Sequence, residues 1–348
     1  MKRKLLMIVS LLFISAGLTN AAELQVITVA LVSPSWSTGL PTAVARGAGF
    51  FKNEGLEVRP VTLASSGPIM MALLMSGQAE MVIAGGVAIL RGIARGAPVV
   101  VVGGHLSRMS YALIGAKGLK TVDDLKGKAI GITGIGGIGE FAVVESLKRN
   151  GLIKDRNFSL LNIEGGPAAR MAALKAGKVH AVPVTPGQRV QAERDGFTVL
   201  LDVRDSLAEL PSNIVASTKE FAKSNPDKTT RFLRALARAM DLIRQDKDKA
   251  IALGRASGLR GDTAIERKAL DYYVQDLEIG INKNNIEALL RLLDISDPPE
   301  KFFDETYLSR ALVRYSTKRV WTFSNRFIDG GDSWTLSSFW NFLLKTLA

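Results

Sequence analysis

Short apolar runs alternate with amphipathic segments along the first part of the chain. Strands are predicted over Leu24 to Val32, Leu56 to Leu63 and Met81 to Ala84, and helical patterns separate and follow them. Pro98 to Val102 and Met109 to Gly115 are continuous apolar runs, which are typical of strands buried on both faces. Alternating strands and helices of this kind predict an α/β fold with a mainly parallel sheet covered by helices.

The same succession begins again after Thr121 to Asp124, a capping-box start for a short helix. Met71 to Gly77 resembles Met171 to Gly177 at an offset of 100 residues, and similar elements surround both copies. We therefore predict two similar α/β lobes rather than one long sheet. Beyond Asp205 the chain is expected to be mostly helical. One apolar helix face has 3.6-residue spacing and consists of Phe232, Leu236, Met240 and Ile243.

The N-terminus has the pattern of a secretory signal peptide. A basic segment, Met1 to Lys4, precedes the apolar run Leu5 to Gly17. The small residues that follow fit a cleavage site after Ala21. The apolar run is too short for a membrane span, although an uncleaved anchor is the alternative. Removal of residues 1–21 takes away Lys2, Arg3 and Lys4, so the net charge of +12 falls to +9. An exported chain without cysteine fits a bacterial periplasm.

Composition narrows the possible chemistry. The 348 residues are enough for two domains, and they include no cysteine and two histidines. Disulfides, zinc–thiolate sites and thiol nucleophiles are therefore excluded. The two histidines leave little for a histidine-based metal site or a Ser-His-Asp triad, so we expect no metal site. The 45 basic residues outnumber the 33 acidic ones, which points to an anionic partner. Nucleic acid is not expected, because the basic residues are dispersed and not interleaved with aromatic ones.

Loops at the carboxyl ends of the predicted strands are rich in glycine, serine and threonine. Ligands of open α/β sheets bind at this edge, where helix N-termini present free N–H groups. Hydroxyl groups add donors, and glycines allow a ligand to approach the backbone. Plain helix caps or packed loop side chains are the alternative for each position. The predicted ligand-binding residues are Ser35, Trp36, Ser65, Ser66, Gly85, Gly86, Thr133, Gly136, Gly137 and Thr185.

The second lobe also contains a glycine pattern of dinucleotide-binding proteins. Gly134, Gly136 and Gly139 fit G-x-G-x-x-G between a strand and a helix, and Glu164 ends the next strand. This leaves a dinucleotide-binding oxidoreductase as an alternative function. Export away from the cofactor pool and the complete lobe that precedes the motif argue against it.

Four segments carry a family resemblance, namely residues 47–58 (GAGFFKNEGLEV), 72–77 (ALLMSG), 124–131 (DLKGKAIG) and 173–177 (ALKAG). Together they resemble the nitrate/sulfonate/taurine-type substrate-binding proteins of ABC importers, also described as SsuA/THI5-like or NMT1-like. The resemblance implies a type II periplasmic binding fold, with two α/β lobes joined by a two-crossing hinge. We expect crossings near residues 115–118 and 205–212. Residues 22–115 and 212–319 would form lobe 1, and residues 116–211 would form lobe 2.

The resemblance further implies a periplasmic protein that captures a small organic anion or heterocycle and delivers it to an inner-membrane permease. Such a protein is a monomer without a cofactor and is not an enzyme. Enzymes on the same fold, of menaquinone-pathway or pyrimidine-synthase type, are the alternative. Glu80 and His180 depart from the family, which usually has aspartate there, and the pocket loops show no obvious arginine. An anion would therefore depend on helix N-termini. Residues 320–348, with three tryptophans, do not resemble the family's usual ending.

Overall fold

The computed structural model describes residues 23–33, 35–62, 66–207, 210–281 and 283–312. The predicted signal peptide, Ser65 and residues 320–348 lie outside the described residues. The strands are β1 (Gln25–Leu31), β2 (Leu56–Thr62), β3 (Met81–Gly85), β4 (Val99–Leu106), β5 (Ala112–Gly115), β6 (Lys128–Ile132), β7 (Phe158–Asn162), β8 (Ala181–Val184), β9 (Thr198–Asp202) and β10 (Asn213–Thr218). The helices are α1 (Trp36–Gly47), α2 (Phe50–Asn53), α3 (Gly67–Met75), α4 (Gly86–Ala94), α5 (Ile138–Arg149), α6 (Gly166–Lys175), α7 (Pro186–Arg194), α8 (Val203–Ser206), α9 (Lys219–Ser224), α10 (Pro226–Gln245), α11 (Lys247–Ala256), α12 (Thr263–Tyr273) and α13 (Lys283–Leu292).

Two five-stranded sheets form two lobes, as the internal similarity predicts. The first sheet has the order β2-β1-β3-β10-β4, and the second has the order β7-β6-β8-β5-β9. The fourth strand in each order, β10 or β5, is antiparallel to both of its neighbours. Along the chain, β5 precedes the rest of the second lobe, and β10 follows it. Each sheet therefore receives its antiparallel strand where the chain crosses between the lobes. The architecture is the expected α/β fold.

The crossings differ in detail from those expected. Because β5 belongs to the second sheet, the chain passes between the lobes at residues 107–111, before residues 115–118. The return runs through residues 203–212. The strand β10 follows Asp205, where mainly helical structure was expected, so that expectation missed an element. Its apolar stretch, Ile214 to Ala216, is too short to show a period of its own.

The two lobes differ in the size of their cores. The predicted apolar face of α10 is buried in lobe 1, and the Phe51 and Phe232 rings stack there with centroids 5.3 Å apart. The sheet of lobe 2 has a smaller apolar cluster on each side, one around Val182 and one around Leu147. The helices that follow β10 therefore enlarge one lobe only. None of the described helices is long and apolar enough to cross a membrane.

The lobes are in contact along the edge where their strands end. Ile138 at the start of α5 packs into an apolar cluster of lobe 1, and α7 packs against α12. Three glycines lie in this contact. A Cβ built on Gly85 would be 2.8 Å from the Ile138 Cβ, one on Gly134 would be 2.4 Å from the Ser66 Cβ, and one on Gly187 would be 2.6 Å from Glu266 Oε1. The structure is therefore a closed form, with backbone from one lobe against side chains of the other.

Candidate functional site

A cleft lies between the lobes, where the carboxyl ends of the parallel strands of both sheets meet. Its cavity volume is about 70 Å³, room for about five water molecules at roughly 10–15 Å³ each. Both crossings and both lobes contribute to the lining. The lining residues are Val32, Ser33, Ser35, Ser37, Thr38, Ser66, Gly67, Gly85, Leu106, Ser110, Tyr111, Thr133, Gly137, Ile138, Gly139, Gly166, Pro167, Arg170, Thr185, Pro186, Ser212 and Asn213.

Lobe 1 supplies uncharged polar groups to the cleft. The Ser35 hydroxyl donates to Thr38 Oγ1 at 3.2 Å, and Asn213 Nδ2 donates to the same oxygen at 3.3 Å. Asn213 is 4% exposed, and its Oδ1 has no hydrogen-bond partner among the described residues. A buried amide oxygen of this kind is costly unless a ligand or water donates to it.

Lobe 2 supplies a full positive charge. Arg170 lies on α6 and is 6% exposed. Its Nε donates to the Pro183 carbonyl at 3.1 Å, and its Nη1 donates to the Thr133 hydroxyl oxygen. Burial lowers the pKa of Arg170 to about 10, which still leaves the guanidinium charged at neutral pH. The side chain is therefore a fixed, desolvated cation at the wall of the cavity.

No described residue of the cleft lining supplies a negative charge to balance this cation, since none of them is an aspartate or glutamate. No ion pair of Arg170 with a described carboxylate is found. Four helix N-termini open toward the same space, those of α1, α3, α5 and α6, and no side chain caps them by a hydrogen bond. The helix dipoles and the guanidinium have the same sign at this point. The arrangement is suited to an anion.

Most of the predicted ligand-binding residues meet at this cleft. Those that line it are Ser35, Ser66, Gly85, Thr133, Gly137 and Thr185. Trp36 does not line it, because its indole is 3% exposed and donates from Nε1 to the Arg260 carbonyl at 2.8 Å. The amide of Gly86 donates to the Ser212 carbonyl at 3.1 Å, and Gly86 lies outside the lining. Ser65 lies outside the described residues.

Two amide donors in the glycine loop of lobe 2 are occupied by side chains of the same lobe. Gly136 N donates to Glu140 Oε2 at 2.6 Å, and Gly134 N donates to Asn162 Oδ1 at 2.9 Å. Gly134 also faces Ser66 of the opposite lobe. A pyrophosphate would need these N–H groups free. The geometry thus disfavours the dinucleotide alternative, and Gly139 lines the small cleft instead.

Arg170 was not among the predicted ligand-binding residues. The prediction that the pocket shows no obvious arginine concerned its loops, whereas Arg170 lies one turn inside a helix and reaches the cleft from there. The sequence did contain a signal. At the offset of 100 residues, Arg170 corresponds to Met70, which is fully buried in lobe 1. A charged residue at the counterpart of an apolar one is the signal that could have identified Arg170.

The profile of the NMT1/THI5-like family matches residues 37–250, more than half of the chain. The protein belongs to the NMT1/THI5-like family. Three solved structures share its fold. One is a protein of Bordetella bronchiseptica RB50, with a TM-score of 0.73 and 24% identity over 84% of this chain and 99% of that one. Another is the alkanesulfonate-binding protein SsuA of Xanthomonas axonopodis pv. citri bound to MOPS. Its TM-score is 0.67, and it is 20% identical over 83% of this chain and 98% of that one.

The third is the periplasmic nitrate-binding protein NrtA of Synechocystis PCC 6803, with a TM-score of 0.57 and 15% identity over 67% of this chain and 66% of that one. Among curated NMT1/THI5-like relatives, the yeast 4-amino-5-hydroxymethyl-2-methylpyrimidine phosphate synthase THI13 is 26% identical over 61% of this chain. The match spans 65% of the length of that relative. Proteins similar to this chain thus include some named as binding proteins and some named as synthases.

Proposed function

We propose that this protein is the periplasmic solute-binding component of an ABC importer and captures a small organic anion between its lobes. The observation that carries the proposal is the buried guanidinium of Arg170 in a closed cleft whose described lining contains no carboxylate. An uncompensated buried charge is costly in a folded protein unless a partner arrives. A bound anion supplies that partner and is desolvated by both walls at once.

The two-lobed architecture supports capture of the ligand between the lobes. Hydroxyls and an amide of lobe 1 face Arg170 and Thr133 of lobe 2 across the cavity, so a ligand in the cleft contacts both lobes. Ligand binding energy then stabilises the closed form relative to the open one. A permease that recognises the closed form would receive loaded protein. The importer-type neighbours and the predicted signal peptide support the periplasmic location.

The alternative function is a pyrimidine phosphate synthase, which the yeast relatives favour. General acid–base chemistry needs a titratable side chain near the reacting atoms. The described lining residues offer hydroxyls, an amide, a phenol and a guanidinium, and burial raises the pKa of the Tyr111 phenol. These groups can bind and orient a ligand, and they favour binding over catalysis.

The test measures binding of small anions to the mature protein. Melting temperature and calorimetry are followed with a panel of sulfonates, carboxylates and nitrate, together with a neutral pyrimidine. We expect at least one anion to bind and raise the melting temperature, since a ligand at about 100 times its Kd adds about 2.7 kcal/mol of stability. Stabilisation by the neutral heterocycle alone, or by nothing in the panel at millimolar concentration, would contradict the proposal.

A further inference from the structure

A second pocket adjoins the cleft on the side of α7 and α12. Its cavity volume is about 370 Å³, several times that of the central cleft. The two spaces share four wall residues, namely Ser35, Ser37, Pro167 and Thr185. Because the central cavity is small and the two spaces share these walls, a larger ligand bound in the central cavity can extend into the second space. We refer to the second space as the side pocket.

The side pocket contains a carboxylate that has no partner among the described residues. Glu266 projects from α12 of lobe 1, and its oxygens lie against two glycine backbones. A Cβ built on Gly187 would be 2.6 Å from Oε1, and one built on Gly261 would be 3.2 Å from it. No hydrogen bond or ion pair from any residue in the described ranges reaches this carboxylate.

The other two charged residues of the side pocket differ from Glu266, because Asp262 has partners and Arg260 is exposed. Asp262 caps α12 by accepting from the amides of Ala264 and Ile265 at 2.8 and 3.2 Å. It also lies 3.9 Å from Arg194. Arg260 is exposed, and its carbonyl accepts from the Trp36 indole. Burial, and secondarily the Asp262 charge, raise the pKa of Glu266 to about 7. A nearby positive group would remove this penalty on the ionised form.

We propose that the side pocket is a subsite for a positively charged group of the same ligand, held by Glu266. The ligand is then a zwitterion, with its anionic end at Arg170 and an ammonium or similar cation at Glu266. This inference rests on the proposed function, because it requires an anion in the central cleft. The two charges reside on opposite lobes, Arg170 on lobe 2 and Glu266 on lobe 1. A zwitterion therefore links the lobes electrostatically when they close.

The experiment compares ligands of equal chain length that differ only at the far end, where one has a methyl group and the other an ammonium. Butane-1-sulfonate is paired with 3-aminopropane-1-sulfonate, and pentanoate is paired with 4-aminobutanoate. Affinities are measured by calorimetry at neutral pH for the wild-type protein and for Glu266→Gln, Arg170→Met and Glu220→Gln. Glu220 is an exposed carboxylate on α9 outside both cavities, so its substitution controls for the change in net charge.

We expect the wild-type protein to bind the amine-terminated member of a pair about tenfold more tightly or better, as for a charge-assisted contact. Glu266→Gln should abolish that preference while leaving affinity for the methyl-terminated member within about twofold. Arg170→Met should weaken both members, and Glu220→Gln should weaken neither. This pattern of differences cannot result from general destabilisation, because it compares two ligands on one variant.

Two outcomes would overturn the inference in distinguishable ways. If the anions bind but the amine confers no advantage, or if Glu266→Gln leaves that advantage intact, the subsite is refuted while the proposed function stands. If no member of either pair binds and the wider anion panel also fails, both the subsite and the proposed function fail.

Discussion

Lobe 1 and lobe 2 follow the same succession of strands and helices, and α3 in the first corresponds to α6 in the second. Both helices begin with a Gly-Pro pair, and both end just before a glycine with positive φ. At the shared offset of 100 residues, Met70 of α3 corresponds to Arg170 of α6. Met70 fills the core of lobe 1, whereas Arg170 lines the cleft. One scaffold thus yields a neutral wall and a charged wall.

Each lobe also buries a basic side chain, with opposite consequences. His105 lies on β4 of lobe 1 and is fully buried. Burial outweighs a contact with the Thr38 backbone and lowers the pKa of His105 to about 4, so its imidazole is neutral at pH 7. The guanidinium of Arg170 keeps its charge under comparable burial. At these two positions lobe 1 holds a neutral imidazole, and lobe 2 holds a charged guanidinium at the cleft.

The largest expected effect comes from making the lobes alike. Arg170→Met places in α6 the residue that α3 has at the corresponding position. We expect anion affinity to fall about 100-fold, or about 3 kcal/mol, because the ligand loses its buried charge partner. The melting temperature of the unliganded protein should stay equal or rise, since an unpaired buried charge is replaced by an apolar side chain.

Lys178→Met is the matched control for Arg170→Met. Lys178 is exposed just after α6, so its substitution removes the same charge without touching the cleft. Its affinity should match that of the wild-type protein in calorimetric titrations. Retention of anion affinity by Arg170→Met would show that the charged wall of lobe 2 is not what holds the ligand.

Lowering the pH tests whether the buried imidazole of His105 in lobe 1 is neutral in the folded protein. The folded-state pKa of His105, about 4, is below its ordinary value of 6.5, so the unfolded chain takes up the proton first as pH falls. The contribution of this group to stability is complete above pH 6.5 and is lost as pH falls toward 4. The loss amounts to about 3 kcal/mol, at 1.36 kcal/mol per pKa unit.

Denaturant unfolding of the wild-type protein and of His105→Gln, measured between pH 4 and 7.5, checks this expectation. The raised pKa of Glu266 acts in the opposite direction, because its contribution is lost as pH rises from about 4.5 to about 7. The relevant quantity is therefore the difference between the two pH profiles. We expect that difference to shrink on acidification, and parallel profiles would mean that His105 does not titrate differently on folding.

Much of the fold follows from local pattern. The strand–helix succession, the capping box at residues 121–124 and the apolar face of α10 all appear in the structure. The strand β10 and the place of β5 were not predictable in this way. Their assignment depends on which sheet accepts a short apolar segment after the chain crosses, and that is a long-range property. The periodicity of apolar residues and the helix-capping motifs carry no information about which sheet a strand joins.

The candidate site was predictable only in part for the same reason. Strand-end loops identify hydroxyls and glycines correctly as a class, but they do not show which of them face the other lobe. Glu80 and His180 illustrate the limit. Glu80 Oε2 accepts from the Thr28 amide at 2.6 Å, and the His180 amide donates to the Ala129 carbonyl at 2.8 Å. Both positions contact a neighbouring strand of their own sheet, β1 or β6, and neither lines the cleft.

The smallest expected effect concerns how the two walls meet. Gly85 ends β3 with backbone angles that any residue adopts, φ −60° and ψ 130°, so Gly85→Ala leaves lobe 1 itself unstrained. In the closed form the new methyl would lie 2.8 Å from both Cβ and Cγ2 of Ile138 in lobe 2. The Ile138 Cβ is bonded directly to the backbone, so rotation of the side chain cannot relieve this contact. Closure should therefore be penalised, and anion affinity should fall about tenfold, as overpacking costs about 1–3 kcal/mol.

Gly86→Ala provides the neighbouring control, because a Cβ there meets Leu289 at 3.4 Å and Ile214 at 3.8 Å, both within lobe 1. Small-angle scattering with and without saturating anion reports closure as a decrease in the radius of gyration. We expect that decrease in the wild-type protein and in Gly86→Ala, and a smaller one in Gly85→Ala. Equal compaction in all three proteins would mean that the lobes close without bringing Gly85 against Ile138. The contact between a neutral wall and a charged wall would then be looser than the closed structure shows.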